Sequence, residues 1–157
     1  KDDFDIVELI KKAKESNREK YEQYVVMIHL NLPTECVKVH ADEKRIKQVL
    51  INLISNAVKY SDKKKEKKEV TISLILNEEH VTVEIKDNGI GIPKSELEKI
   101  FTKFYRIDSS LTYEVEGTGL GLAICQEIIH EHGKEIKVES TVGEGSIFRF
   151  ELDKSKE

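Results

Sequence analysis

Residues 42–60, DEKRIKQVLINLISNAVKY, constrain the fold more than any other stretch of the chain. Ile46, Val49, Leu50, Leu53, Ile54, Ala57 and Val58 recur at helical spacing and, at about 100° per residue, form one broad apolar stripe. A helix with such a stripe is expected to lie on a sheet. Asn52, Asn56, Lys59 and Tyr60 run along one border of the stripe, where a helix packed on a sheet meets a cleft. Two carboxamides, an ammonium and a phenol are poor packing material, because buried amides need partners. The expectation is a polar ligand at that border.

The sheet is legible in two places. Residues 70–74 and 81–86 alternate apolar and polar around Asn77-Glu78-Glu79-His80. Residues 136–140 and 146–152 do the same around Val142-Gly143-Glu144-Gly145, whose glycines permit the positive φ of a tight turn. Each pair reads as a hairpin with one wet face. Between them, residues 120–132 read as a helix closed by Gly133. Near the start, Asp5 is placed to cap a helix running to about residue 20, with Glu8 reaching back to it and Phe4 stapled onto Leu9. Residues 25–30 and 37–40 read as two short strands joined by the turn at Leu32-Pro33-Thr34. A sheet wet on one face and covered by helices on the other is a two-layer α/β sandwich.

At 157 residues the chain is expected to be one domain, able to bury roughly 70% of its unfolded surface. The Asp5 cap lies so close to Lys1 that the chain is expected to be cut from a longer protein. No apolar run approaches the ~18 residues of a membrane span, and no signal pattern opens the chain, so the expected location is cytoplasmic, without direct membrane contact. A net charge of -4 counts against nucleic acid as a partner. Cys36 and Cys125 are isolated, and none of the five histidines stands at metal-ligand spacing; His130 and His132 read as surface or cap residues.

Four further stretches carry chemistry. Asp87-Asn88-Gly89-Ile90-Gly91 ends an alternating strand. It reads either as a plain turn or as a base-reading corner, where a strand-end carboxylate accepts a hydrogen bond from the exocyclic amine of adenine. Guanine, with a carbonyl there, would set acceptor against acceptor. Gly117-Thr118-Gly119-Leu120-Gly121 enters a helix and either cradles phosphate oxygens on its free N–H groups or serves as a hinge. It is neither the dinucleotide fingerprint nor a Walker motif. Residues 93–117 are too long for an ordinary connection and suggest a lid. Phe101, Phe104 and Tyr105 read as anchors of its base, and Arg106 as a cation able to reach a terminal phosphate. The run SDKKKEKKE over residues 61–69 reads as a solvated loop.

Taken together, these motifs resemble the catalytic ATP-binding domain of sensor histidine kinases, within the wider Bergerat fold shared with DNA gyrase B, the ninety-kilodalton heat-shock chaperones and MutL. Residues 52–60 resemble the N box, 87–91 the first glycine box, 101–104 the F box and 117–121 the second glycine box, in that order. The resemblance implies a mixed, mostly antiparallel sheet of about five strands covered on one face by three helices. It also implies ATP and Mg²⁺. Asn56 would hold the metal, with Asn52 beside it in the phosphate region. Lys59 and Arg106 would meet the phosphates, and Tyr60 would stack on adenine. Asp87 would take its N6, with Gly89, Gly91, Ile92 and Tyr105 around the base. Gly117, Thr118, Gly119, Leu120 and Gly121 would bind the phosphate chain.

The resemblance further implies transfer of the γ-phosphoryl group to a histidine on a dimerisation domain of the same longer protein, and from there to a response regulator. Where related ATPases carry a water-activating glutamate, Asn52 stands, and an amide is no general base at neutral pH. The sequence departs from the pattern in lacking a phosphoacceptor histidine box, in carrying Lys134 after His132-Gly133, and in its lysine-rich 61–69 loop. Two alternatives stay open: an ATPase whose lid gates a conformational change, and a nucleotide-regulated protein-binding module.

Overall fold

The computed structural model describes residues 1–102 and 121–156. In chain order these form β1 (Asp2–Asp5), α1 (Ile6–Ser16), α2 (Arg18–Gln23), β2 (Val26–Asn31), β3 (Lys38–Ala41), α3 (Glu43–Lys59), β4 (Lys68–Leu76), β5 (His80–Asp87), α4 (Gly121–Glu131), β6 (Lys137–Thr141) and β7 (Gly145–Asp153). Five strands make one sheet in the order β2-β4-β5-β7-β6; β2 runs parallel to β4 and every other pair is antiparallel. The apolar halves of the alternating strands, Val70, Ile72, Val83, Ile85 and Phe150 among them, point to one face. There they meet the buried stripes of α1, α3 and α4 in one continuous core. The mixed sheet under helices is the expected two-layer sandwich.

Helix α3 forms as its sequence dictates. Asp42 is extended and its side chain accepts from the Arg45 N–H at 3.3 Å, satisfying one of the orphan donors of the first turn. All seven stripe residues are buried. At the far end of α4, the His132 ring accepts from the Asp42 N–H at 3.1 Å through Nε2, and its Nδ1 lies 2.8 Å from the Ile128 carbonyl oxygen. It is a cap residue that joins the start of one helix to the end of the other.

The first forty residues differ from the reading above. Phe4 belongs to a strand, β1, which pairs with β3 in a small separate sheet. Residues 25–30 and 37–40 do form two successive strands, but in different sheets: β2 joins the main sheet, and α3 forms part of the crossover that lets β4 run parallel to it. Val25 lies outside the strand, at φ 57 and 76% exposed. Asp5 does cap α1, but it accepts from Val7 N–H and from Val37 N–H, while Glu8 turns to Lys11. The first helix also stops early. Asn17 is buried, and its carboxamide donates to the Ala13 and Ile51 carbonyls at 3.2 Å each, which fixes the break against α3.

Candidate functional site

The loop that leaves the end of β5 is held from two sides. The Tyr60 carbonyl, at the C-cap of α3, accepts from Ile90 N–H at 3.0 Å. From the β6–β7 hairpin, Gly143 N–H donates to the Ile90 carbonyl at 2.8 Å, and Ser140 Oγ accepts from Ile92 N–H at 2.7 Å. A Cβ on Gly89 would stand 2.3 Å from the Tyr60 carbonyl oxygen, and one on Gly91, at φ +77, 2.2 Å from that of Thr141. These two glycines are required because backbone packs on backbone there.

This scaffold walls a cleft whose empty space, counted out into the open solvent at its mouth, is about 560 Å³. Asn56, Ala57 and Tyr60 line it from α3, and Asp87, Gly91 and Ile92 from β5 and its following loop. Ile100, Leu122, Ser146 and Phe148 complete the wall. Phe101 braces Phe148 edge-on, with ring centroids 6.4 Å apart, a contact worth ~1 kcal/mol. The walls are mainly apolar, with a few convergent polar groups.

Asp87 is the distinctive one. It is only 8% exposed, and its Oδ1 accepts from Gly89 N–H at 2.9 Å and from Ser146 N–H at 3.2 Å. Neither donor goes to Oδ2. Burial pushes its pKa from 3.8 to about 6, opposed by those two N–H groups and by Lys65. The folded value lies above the unfolded one, so the stability this group contributes is fully present below pH ~4 and is lost as pH rises through about 6. The loss amounts to up to about 3 kcal/mol. Chemical denaturation between pH ~4 and ~8 is expected to show that decline and then a plateau.

The cleft thus brings together Asn56, Tyr60, Asp87, Gly91 and Ile92, with Gly89 behind them. Asn52 and Lys59 lie outside its lining. Burial pushes the pKa of the Cys125 thiol up to about 12, against the lowering effect of the nearby Asn52 amide, and the thiol donates to the Val49 carbonyl at 3.9 Å. Lys59 faces Lys20, whose ammonium donates to Ser55 Oγ at 2.9 Å; burial first, then the charge of Lys59, lowers the Lys20 pKa. Gly121 opens α4 with no described atom within 4 Å of where a Cβ would stand, so close packing with the described residues does not explain it. Phe104, Tyr105, Arg106, Gly117, Thr118, Gly119 and Leu120 lie outside the described residues. Sequence reasoning missed Ser146, Ser140 and Gly145. They reach the corner because β7 pairs with β5 in a register that sets Ser146 opposite Asp87, and one strand's sequence does not encode its partner's register.

Residues 41–156 match the family model described as histidine kinase-, DNA gyrase B-, and HSP90-like ATPase. The chain belongs to this family. Within it, the catalytic domain of the histidine kinase ThkA is 34% identical, with a TM-score of 0.81 over 98% of this chain and 97% of that one. ThkA in complex with the response regulator TrrA aligns at 32% identity and a TM-score of 0.78, over 98% of this chain and 42% of that one. Full-length ShkA in complex with AMPPNP is 25% identical, with a TM-score of 0.83 over 98% of this chain and 31% of that one. The sensor histidine kinase WalK of Bacillus subtilis is 45% identical over 136 residues, 87% of this chain and 22% of WalK. This histidine kinase domain therefore spans about a fifth of that relative's length. Among its described residues no helix is long and apolar enough to cross a membrane.

Proposed function

We propose that residues 1–157 are the catalytic domain of a two-component sensor kinase, which binds Mg-ATP and transfers the γ-phosphoryl group to a histidine on a dimerisation domain of the same longer protein. The observation that carries this reading is Asp87: a buried carboxylate, fixed through one oxygen, in an apolar cleft it shares with Asn56 and Tyr60. A fixed acceptor in an apolar slot suits a purine bearing its exocyclic amine at C6. Asp87 orients the base, and Tyr60 with Ile92 covers it. The family and the AMPPNP complex of ShkA support the same ligand.

The rim suits a metal that arrives with its phosphates. Among the described residues there is no group of three or more His, Cys, Asp or Glu side chains able to hold an ion. The rim offers the single amide of Asn56, which fits Mg²⁺, a cation that keeps several waters and takes few protein ligands beside phosphate oxygens. When bound, the metal neutralises charge on those oxygens. Lys59 and Arg106 add cationic groups for the phosphate chain, and Gly117, Thr118, Gly119, Leu120 and Gly121 add backbone donors. The amide of Asn52 is no base at neutral pH and cannot activate water. Transfer is thus favoured over hydrolysis, and the phosphoryl group passes on to a response regulator, as the ThkA–TrrA complex suggests.

The decisive assay mixes the chain with the separately produced dimerisation domain of its parent protein and γ-labelled ATP. Acid-labile, base-stable label on a histidine is expected, with little phosphate released by the chain alone. Release of phosphate at a comparable rate, with no labelled histidine, would replace the kinase reading with an ATPase one.

A further inference from the structure

The lysine-rich loop between α3 and β4 does more than span a gap. Asp62 shapes its start, with its Oδ1 accepting from Lys64 N–H at 3.0 Å and its carbonyl from Lys65 N–H at 3.1 Å. That turn delivers Lys65 to the end of β5, where its ammonium donates to the Asn88 carbonyl at 2.7 Å. Asn88 holds the rest of the loop: its Oδ1 accepts from Glu69 N–H and its Nδ2 donates to the Lys67 carbonyl, both at 2.8 Å, while its own N–H donates to the Glu69 carbonyl at 3.2 Å. The loop is thus fastened to the residue between Asp87 and Gly89. We propose that Lys65 is a positioning residue for purine recognition: seated on the Asn88 carbonyl, it fixes the Asp87 turn and supplies the positive charge beside which that carboxylate meets an exocyclic amine.

The charged and titratable groups around Asp87 come from every neighbouring element. Tyr60 shares the cleft from α3. Lys86 on β5, with Glu139 and Glu144 from the β6–β7 hairpin, lines a second hollow on its other side. Among the described residues, Lys65 is the one whose charge acts on the Asp87 carboxyl, favouring its ionised form. Lys65 is half-buried, whereas Lys64 is exposed and offers the same charge from one residue away. The effect should therefore belong to one position and not to the charge of the loop.

This inference rests on the ATP reading, and the test separates the two. The full chain, Lys65→Met, Lys65→Arg and Lys64→Met are titrated with ATP by calorimetry across pH ~5 to ~8.5. The Asp87 carboxyl is followed by ¹³C NMR without nucleotide. Lys65→Met is expected to bind ATP about tenfold more weakly near neutral pH, the scale of one hydrogen bond to a charged group. Its Asp87 midpoint should move to higher pH, Lys65→Arg should restore most of both, and Lys64→Met should match the unaltered chain. A merely structural prop would lower affinity equally at every pH and leave the midpoint in place. Unchanged affinity and midpoint in Lys65→Met, or the same changes in Lys64→Met, would overturn the role of Lys65 while the ATP reading stands. Failure of the unaltered chain to bind ATP would overturn both.

Discussion

Asp87→Asn is expected to weaken ATP binding about 10³-fold and, at the same time, to make the nucleotide-free chain more stable above pH 6. The first effect follows from donor and acceptor count. The substituted side chain keeps its oxygen on the Gly89 and Ser146 N–H groups, so its NH₂ takes the place of Oδ2 and opposes the adenine amine donor to donor. A mismatch of this kind leaves buried polar groups unpaired and costs about 4 kcal/mol. The second effect follows from burial, which works against the ionised carboxylate; an uncharged isostere removes up to about 3 kcal/mol of that opposition. A site residue held at a cost to stability is what a binding role predicts. Calorimetric titration and urea denaturation of the same two proteins read both signs. A variant that binds ATP as before would remove Asp87 from recognition.

Gly145→Ala should be among the most damaging single changes to the fold. Gly145 sits at φ +124, and a Cβ there would stand 2.0 Å from the Asp87 carbonyl oxygen and 2.8 Å from Asn88 Cα. All of these neighbours are backbone in a central strand pair, so nothing flexible can yield. The expected loss is about 4 kcal/mol, a large share of the ~5–15 kcal/mol that holds a domain together. Gly143→Ala is the control in the same turn. Its φ is +84 with nothing within 4 Å of the added Cβ, so only the left-handed backbone penalty of about 1 kcal/mol applies. Denaturation midpoints should therefore separate two glycines that are two residues apart. In a surviving fraction of Gly145→Ala, the Asp87 corner would be displaced and nucleotide affinity lost with it.

The contrast between these glycines marks how far the sequence could be read. Period-two alternation in β4, β5 and β7 and the 3.6-residue stripe of α3 each report one face of one element, and those faces proved to be the core. Asp87 and Asn56 were legible because a carboxylate at a strand end and an amide at a stripe border are out of place in packing. Ser146 was not, and Gly145 was legible as a turn glycine but not as a neighbour of Asp87, since those meanings come from the register of β7 on β5. The pairing of β2 with β4 across α3 was hidden for the same reason: strand partners are a property of the assembled sheet. The break at Asn17 depends on the Ile51 carbonyl, 34 residues on. Local pattern carries no trace of it.

The central claim is that the cleft between α3 and the end of β5 reads a 6-aminopurine. Titrating the 157-residue chain with ATP and with GTP, each with Mg²⁺, tests it most directly. ATP is expected to bind at least ~10²-fold more tightly, because guanine presents a carbonyl to the Asp87 carboxylate. Equal affinity for the two nucleotides, or binding of neither, would contradict it.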